Sequence, residues 1–139
     1  MSMQRIDING KAISVVLESF LSYVKENSFP FSGCDLTDIN VRSDCGDSLL
    51  HFAVRFYDEP TVLAELIELG LDVDALGDMS ETPLHVAVAC NNLDAVQVLV
   101  RYGARLDILS EFNSTPLDKA FDRGHPGILE YLQEHKNRS

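Results

Sequence analysis

Ile13, Val16, Leu17, Phe20, Leu21 and Val24 fall at i, i+3, i+4, i+7, i+8 and i+11. That spacing marks a helix with one apolar face. Ser14, Glu18, Ser22 and Lys25 occupy the opposite side, so the pattern predicts a helix over residues 11–26. From about residue 48 the apolar positions come in two alternating kinds of run. One is short and built on small residues, with Ala53, Ala87 and Ala120 at a recurring place where another helix can come close. The other is bulkier: Val62, Leu63, Leu66 and Ile67 in one stretch, Val96, Val98, Leu99 and Val100 in the next. Gly70 and Gly103 follow the bulkier runs and suit the left-handed residue that ends a helix. Asp72-Val73-Asp74-Ala75 and Arg105-Leu106-Asp107-Ile108 then read as extended turns.

These runs repeat at a fixed period. Thr82-Pro83-Leu84-His85-Val86-Ala87 has the frame of Thr115-Pro116-Leu117-Asp118-Lys119-Ala120, 33 residues on, and of Ser48-Leu49-Leu50-His51-Phe52-Ala53, 34 residues back. Thr or Ser in that place is a helix N-cap, and proline at the first helical position gives up an N–H that would have no helical partner anyway. Gly70 and Gly103 each precede their threonine by 12 residues.

Turn, helix, helix, a 33-residue period and T-P-L-H-x-A at the head together resemble the ankyrin repeat family, over residues 38–136. The resemblance implies an all-α solenoid of about three helix-turn-helix repeats with β-turn fingers and an N-terminal capping helix. The expected division is a capping helix and loop over residues 1–37 and an array over 38–139, with units 43–76, 77–109 and 110–139. The first unit departs from the motif with Ser48-Leu49 and an extra residue near Tyr57-Asp58-Glu59-Pro60, where Pro60 can start the second helix. Asn91-Asn92 stands in the middle unit where the last has Gly124-His125; asparagine tolerates left-handed backbone. Asp118 takes the histidine place in the last unit. Its final helix carries Glu130, Gln133, Glu134, His135 and Lys136, as expected of a C-terminal cap with a polar outer side. Residues 28–37 read as a loop, and a short extended piece is expected around Ile6 and Ile8.

Charge sharpens the picture. The net charge is −11, and between Arg55 and Arg101 there are nine carboxylates and no Lys or Arg. That balance argues against nucleic acid or an anionic membrane, and is read either as a solvated face or as an acidic surface for a basic protein partner. Cys34, Cys45 and Cys90 are odd in number and lack zinc-site spacing, which suits reduced thiols. No secretory leader and no apolar run of membrane-spanning length is apparent, so a cytoplasmic location is expected.

Catalytic constellations are weak. Asp72, Asp74 and Gly77 imitate the start of a calcium loop, but Leu76 and Pro83 stand where further ligands belong. His51 and His85 repeat in frame and are better read as structural, hydrogen-bonded to the turns between repeats. Cys45 near His51, or Cys90 near His85, lacks a third orienting group. The expectation is no enzyme, no metal and no cofactor.

In ankyrin-like proteins the partner is usually met by turn tips and the exposed side of the first helices, which implies a line of sites here. At matching frame positions stand Asp44, Asp78 and Glu111, then Cys45, Met79 and Phe112, then Asp47 and Glu81, with Leu76 and Leu109 at a further tip position. On the first helices the exposed positions are Arg55 and Phe56, Ala89 and Cys90, Asp122 and Arg123. The resulting expectation is a non-catalytic module whose apolar stripe and carboxylate border bind a basic protein or peptide. A stoichiometric inhibitor or immunity protein of a basic toxin or nuclease is the alternative. The chain is expected to be a monomer or a weak homo-oligomer.

Overall fold

The computed structural model describes residues 7–8, 11–27, 38–57 and 59–138. Ile6, Cys34 and the loop over 28–37 lie outside the described residues. The first described residues form an antiparallel pair, β1 (Asp7–Ile8) and β2 (Lys11–Ala12), in the register Asp7↔Ala12 and Ile8↔Lys11. Among the described residues seven α-helices follow: α1 (Val15–Asn27), α2 (Leu49–Phe56), α3 (Pro60–Glu68), α4 (Pro83–Ala89), α5 (Leu93–Arg101), α6 (Pro116–Arg123) and α7 (Pro126–Arg138).

α1 starts four residues later than the apolar spacing predicts. The reason is Ser14, whose hydroxyl oxygen accepts from the Leu17 N–H at 3.1 Å and sets the first turn. The Ser14 N–H donates to Glu65 Oε2 at 2.8 Å, and its hydroxyl donates to Glu65 Oε1. Glu65 is on α3, so one carboxylate pins the start of α1 to the first repeat. Ile13, Leu17, Phe20, Leu21 and Val24 are buried as expected, whereas Val16 is 40% exposed. Val16 sits at the edge of the apolar arc, and α1 touches the array along one side only. Phe20 meets Tyr57 at 5.0 Å between ring centroids, and Tyr23 and Phe52 complete an aromatic seam between α1 and the first repeat.

The remaining helices form three hairpins, α2/α3, α4/α5 and α6/α7. α2, α4 and α6 stack as an inner layer; α3, α5 and α7 form the outer one, with α1 against α3. Ala53, Ala87 and Ala120 are fully buried where the layers approach. Leu50, Leu66, Leu84 and Leu99 fill the space between successive hairpins, also with no exposure. The outer helices α3 and α5 end as their glycines predict. In α3 the Gly70 N–H reaches Ile67 C=O and the Leu71 N–H reaches Leu66 C=O; in α5 Gly103 and Ala104 repeat the arrangement. Gly70 has φ +116° and Gly103 φ +93°, values that side chains with a Cβ rarely adopt. Asn91 (φ +53°) replaces the left-handed Gly124 (φ +70°) between the helices of the middle hairpin.

Candidate protein-binding surface

Each inner helix begins with the same hydrogen-bond unit. In α4 the Thr82 hydroxyl accepts from the His85 N–H at 3.2 Å, and the Thr82 N–H donates to His85 Nδ1 at 3.1 Å. With Nδ1 accepting, the ring proton sits on Nε2, which donates to the Ser114 carbonyl at 2.9 Å. Ser48 and His51 repeat the unit in α2, with His51 Nε2 donating to the Glu81 carbonyl at 2.8 Å. Each histidine thus caps its own helix and holds the turn of the next repeat. Burial lowers the pKa of both rings. Asp118 keeps only the local half of this role, accepting from the Thr115 N–H at 3.0 Å.

The turns project as three fingers, residues 43–47, 77–81 and 110–114, of which the histidines hold the second and third. Each closes on a backbone bond, Ser43 N–H to Asp47 C=O, Gly77 N–H to Glu81 C=O and Ser110 N–H to Ser114 C=O, at 2.8–3.0 Å. Gly46, Ser80 and Asn113 take the left-handed residue at matching places. The central finger differs from its neighbours in that Met79 is also left-handed (φ +58°). Neighbouring fingers are tied together. The Glu111 N–H donates to the Met79 carbonyl at 2.9 Å, the Asp78 N–H to Asp47 Oδ1 at 2.8 Å, and Arg42 Nη1 to both Gly46 and Leu76 carbonyls.

This ladder places the expected surface residues as follows. Asp44, Cys45, Asp78, Met79, Glu111 and Phe112 are all exposed at the finger tips. Leu76 and Leu109 are each 51% exposed beside them, and Phe112 reaches 66%. Asp47 is half-buried and engaged with the next finger. Glu81 corrects the expectation of a free carboxylate border: it forms an ion pair with Lys119 of α6, and both side chains are 13% exposed. Lys119 occupies the frame of the buried Val86, so an apolar contact between repeats is here replaced by a charged one.

Farther along the inner helices Arg55, Phe56, Cys90, Asp122 and Arg123 are exposed, and Ala89 is half-buried. A cleft of about 430 Å³ between the first two hairpins brings Arg55, Phe56 and Cys90 together with Asn91, Leu93 and Asp94. The last three escape the frame argument, because they belong to the interhelical loop and the start of α5. Phe121 also escapes it: it is 73% exposed, although its frame equivalents Val54 and Val88 are buried under a following hairpin. The terminal face is therefore less polar than a cap is expected to be. Among the described residues no group of three or more His, Cys, Asp or Glu is placed to hold a metal ion, and no helix is long and apolar enough to cross a membrane.

Stacked hairpins with projecting turns define a repeat solenoid, and comparison with known proteins says which kind. Ankyrin repeats (3 copies) match residues 16–110 and again residues 50–139. Neurogenic locus notch homolog protein 1 of Homo sapiens is 38% identical over 81 residues, covering 58% of this chain and 3% of that protein. The nuclear factor NF-kappa-B p105 subunit of Rattus norvegicus is 34% identical over 97 residues, 66% of this chain and 10% of its own length. Alpha-latrotoxin-Lh1a of Latrodectus hasselti is 36% identical over 63 residues, 45% and 5% respectively. The chain thus spans a tenth or less of these relatives. It belongs to the ankyrin repeat family, whose repeats are protein–protein interaction modules without catalysis of their own.

Proposed function

We propose that this chain binds a basic protein through the finger tips and the adjoining inner helices. The observation that carries the reading is a repeated pair. A carboxylate (Asp44, Asp78, Glu111) stands next to a Cys45, Met79 or Phe112 side chain on each finger, all exposed. Desolvated apolar contacts supply affinity, while the carboxylates beside them steer a cationic partner and raise its association rate. The rest of the array reinforces the sign, because residues 56–100 carry nine carboxylates and no Lys or Arg.

The test is capture from the source lysate with the wild type and with an Asp44→Lys/Asp78→Lys/Glu111→Lys variant. All three carboxylates are exposed, so the variant is expected to melt like the wild type. A basic protein retained by the wild type, released by salt and missed by the variant supports the reading. Equal retention of one partner by both proteins sinks it.

A further inference from the structure

The pitch of the fingers restricts the backbone that lies across them. Each finger is two arms closed on one another, and the Glu111–Met79 backbone bond joins the second finger to the third. Two arms at strand separation give a repeat of about 9.5 Å between equivalent tip residues. The inner helices α2, α4 and α6 pack side by side, and the usual spacing of packed helices, about 8–10 Å, brackets that interval. Met79 and Phe112, like Asp78 and Glu111, are equivalent residues on successive fingers, so the apolar and acidic contacts both recur at that interval.

Three regular backbones can be compared with it. A β-strand returns to one face every second residue, at about 6.7 Å or 13 Å, and misses alternate fingers. An α-helix returns after seven residues, at about 10.5 Å, and drifts about 1 Å per finger. A polyproline II segment has three residues per turn and advances about 9.3 Å, keeping one face on every finger. It also has no internal hydrogen bonds to give up and little chain entropy left to lose.

We infer that the occupant of the finger surface is a polyproline II segment carrying a Lys or Arg and an apolar residue once every three positions. The cation meets Asp44, Asp78 or Glu111, and the apolar residue lies on Leu76, Met79, Leu109 or Phe112. This rests on the reading of the surface as a site for a basic partner and deepens it to a sequence period.

The probe is a labelled peptide of repeated Lys-Pro-Leu triplets, long enough to cross three fingers, titrated by fluorescence anisotropy. Beside it runs a peptide of identical composition in scrambled order, with its lysines no longer three residues apart. The triplet peptide is expected to bind at least about tenfold tighter, and the Asp44→Lys/Asp78→Lys/Glu111→Lys variant to lose it. Equal affinity for the two peptides, abolished by the variant, overturns the period but leaves the acidic surface standing. Triplet binding indifferent to the variant overturns the surface itself, and no binding of either peptide overturns the polyproline II occupant.

Discussion

Gly77 is where the contact between the first two fingers tolerates least. A methyl group built on it stands 2.3 Å from Asp47 Oδ1 and 2.8 Å from His51 Nε2. Neither atom is idle: Asp47 Oδ1 accepts from the Asp78 N–H, and His51 Nε2 donates to the Glu81 carbonyl, both at 2.8 Å. Gly77→Ala therefore has to displace the carboxylate, the buried ring or the finger. A hydrogen bond to a charged group contributes about 1.5–3 kcal/mol and a neutral one about 0.5–1.5 kcal/mol, so the expected loss is on the order of 2–4 kcal/mol. In an array held by nearest-neighbour contacts, that loss falls on the junction between the first and second repeats.

Urea denaturation gives the stability, and a lowered m-value would show the first repeat separating before the rest. Gly46→Ala is the control. Gly46 has φ +93° but no atom within 4 Å of the added methyl, so only the left-handed strain of about 1–2 kcal/mol applies. A double-mutant cycle completes the test: once Asp47 is alanine, the added methyl at Gly77 has lost one of its two obstacles and does less harm. A Gly77→Ala loss below about 1 kcal/mol, or strict additivity with Asp47→Ala, refutes the reasoning.

Other substitutions follow from the same contacts. Ser80→Gly should stabilise by a few tenths to about 1 kcal/mol in thermal or chemical melts, because Ser80 is left-handed where the first finger has Gly46. Glu81→Lys should lower stability by on the order of 3 kcal/mol, since it leaves Lys119 facing a like charge in a site that is 13% exposed. Leu84→Ala, at a position with no exposure, should lose about 2–5 kcal/mol. For the histidines, burial lowers the folded pKa below the ordinary 6.5, so below that value the unfolded chain binds protons that the folded one refuses. Their contribution is fully present above pH 6.5 and declines as the pH falls toward the folded values. Asp47, Arg42 and Arg55 face His51, and Glu81 and Lys119 face His85. Urea midpoints from pH 8 to 5 should fall, and by less when His85 is replaced by glutamine.

The repeat was legible because its chemistry recurs in register. Thr82 and Thr115 announce their helices, Gly70 and Gly103 end theirs, and His51 and His85 share a role that neither would reveal alone. Contacts made once are harder to read. The Ser14–Glu65 tie joins residues 51 apart and belongs to no frame, so the apolar spacing alone starts α1 too early. Glu81 reads as one more surface carboxylate, because its partner lies on helix α6, 38 residues away. A signal was nevertheless present: Lys119 stands in the frame of Phe52 and Val86, and a cation in an otherwise apolar place asks for an acid. Phe121 was overlooked for the converse reason, an apolar residue in an apolar frame with no hairpin over it. The left-handed Met79 has no glycine or asparagine to announce it.

Site-specific photo-crosslinking tests the central claim most directly. A photoreactive phenylalanine analogue replaces Phe112 at a finger tip in one protein and Glu130 on the outer helix α7 in another, and each is irradiated in the source lysate. The account predicts one basic protein crosslinked from Phe112, absent from Glu130, and lost when Asp44, Asp78 and Glu111 are reversed to lysine. Crosslinking of the partner from Glu130 instead, or from Phe112 undiminished by the reversal, contradicts it.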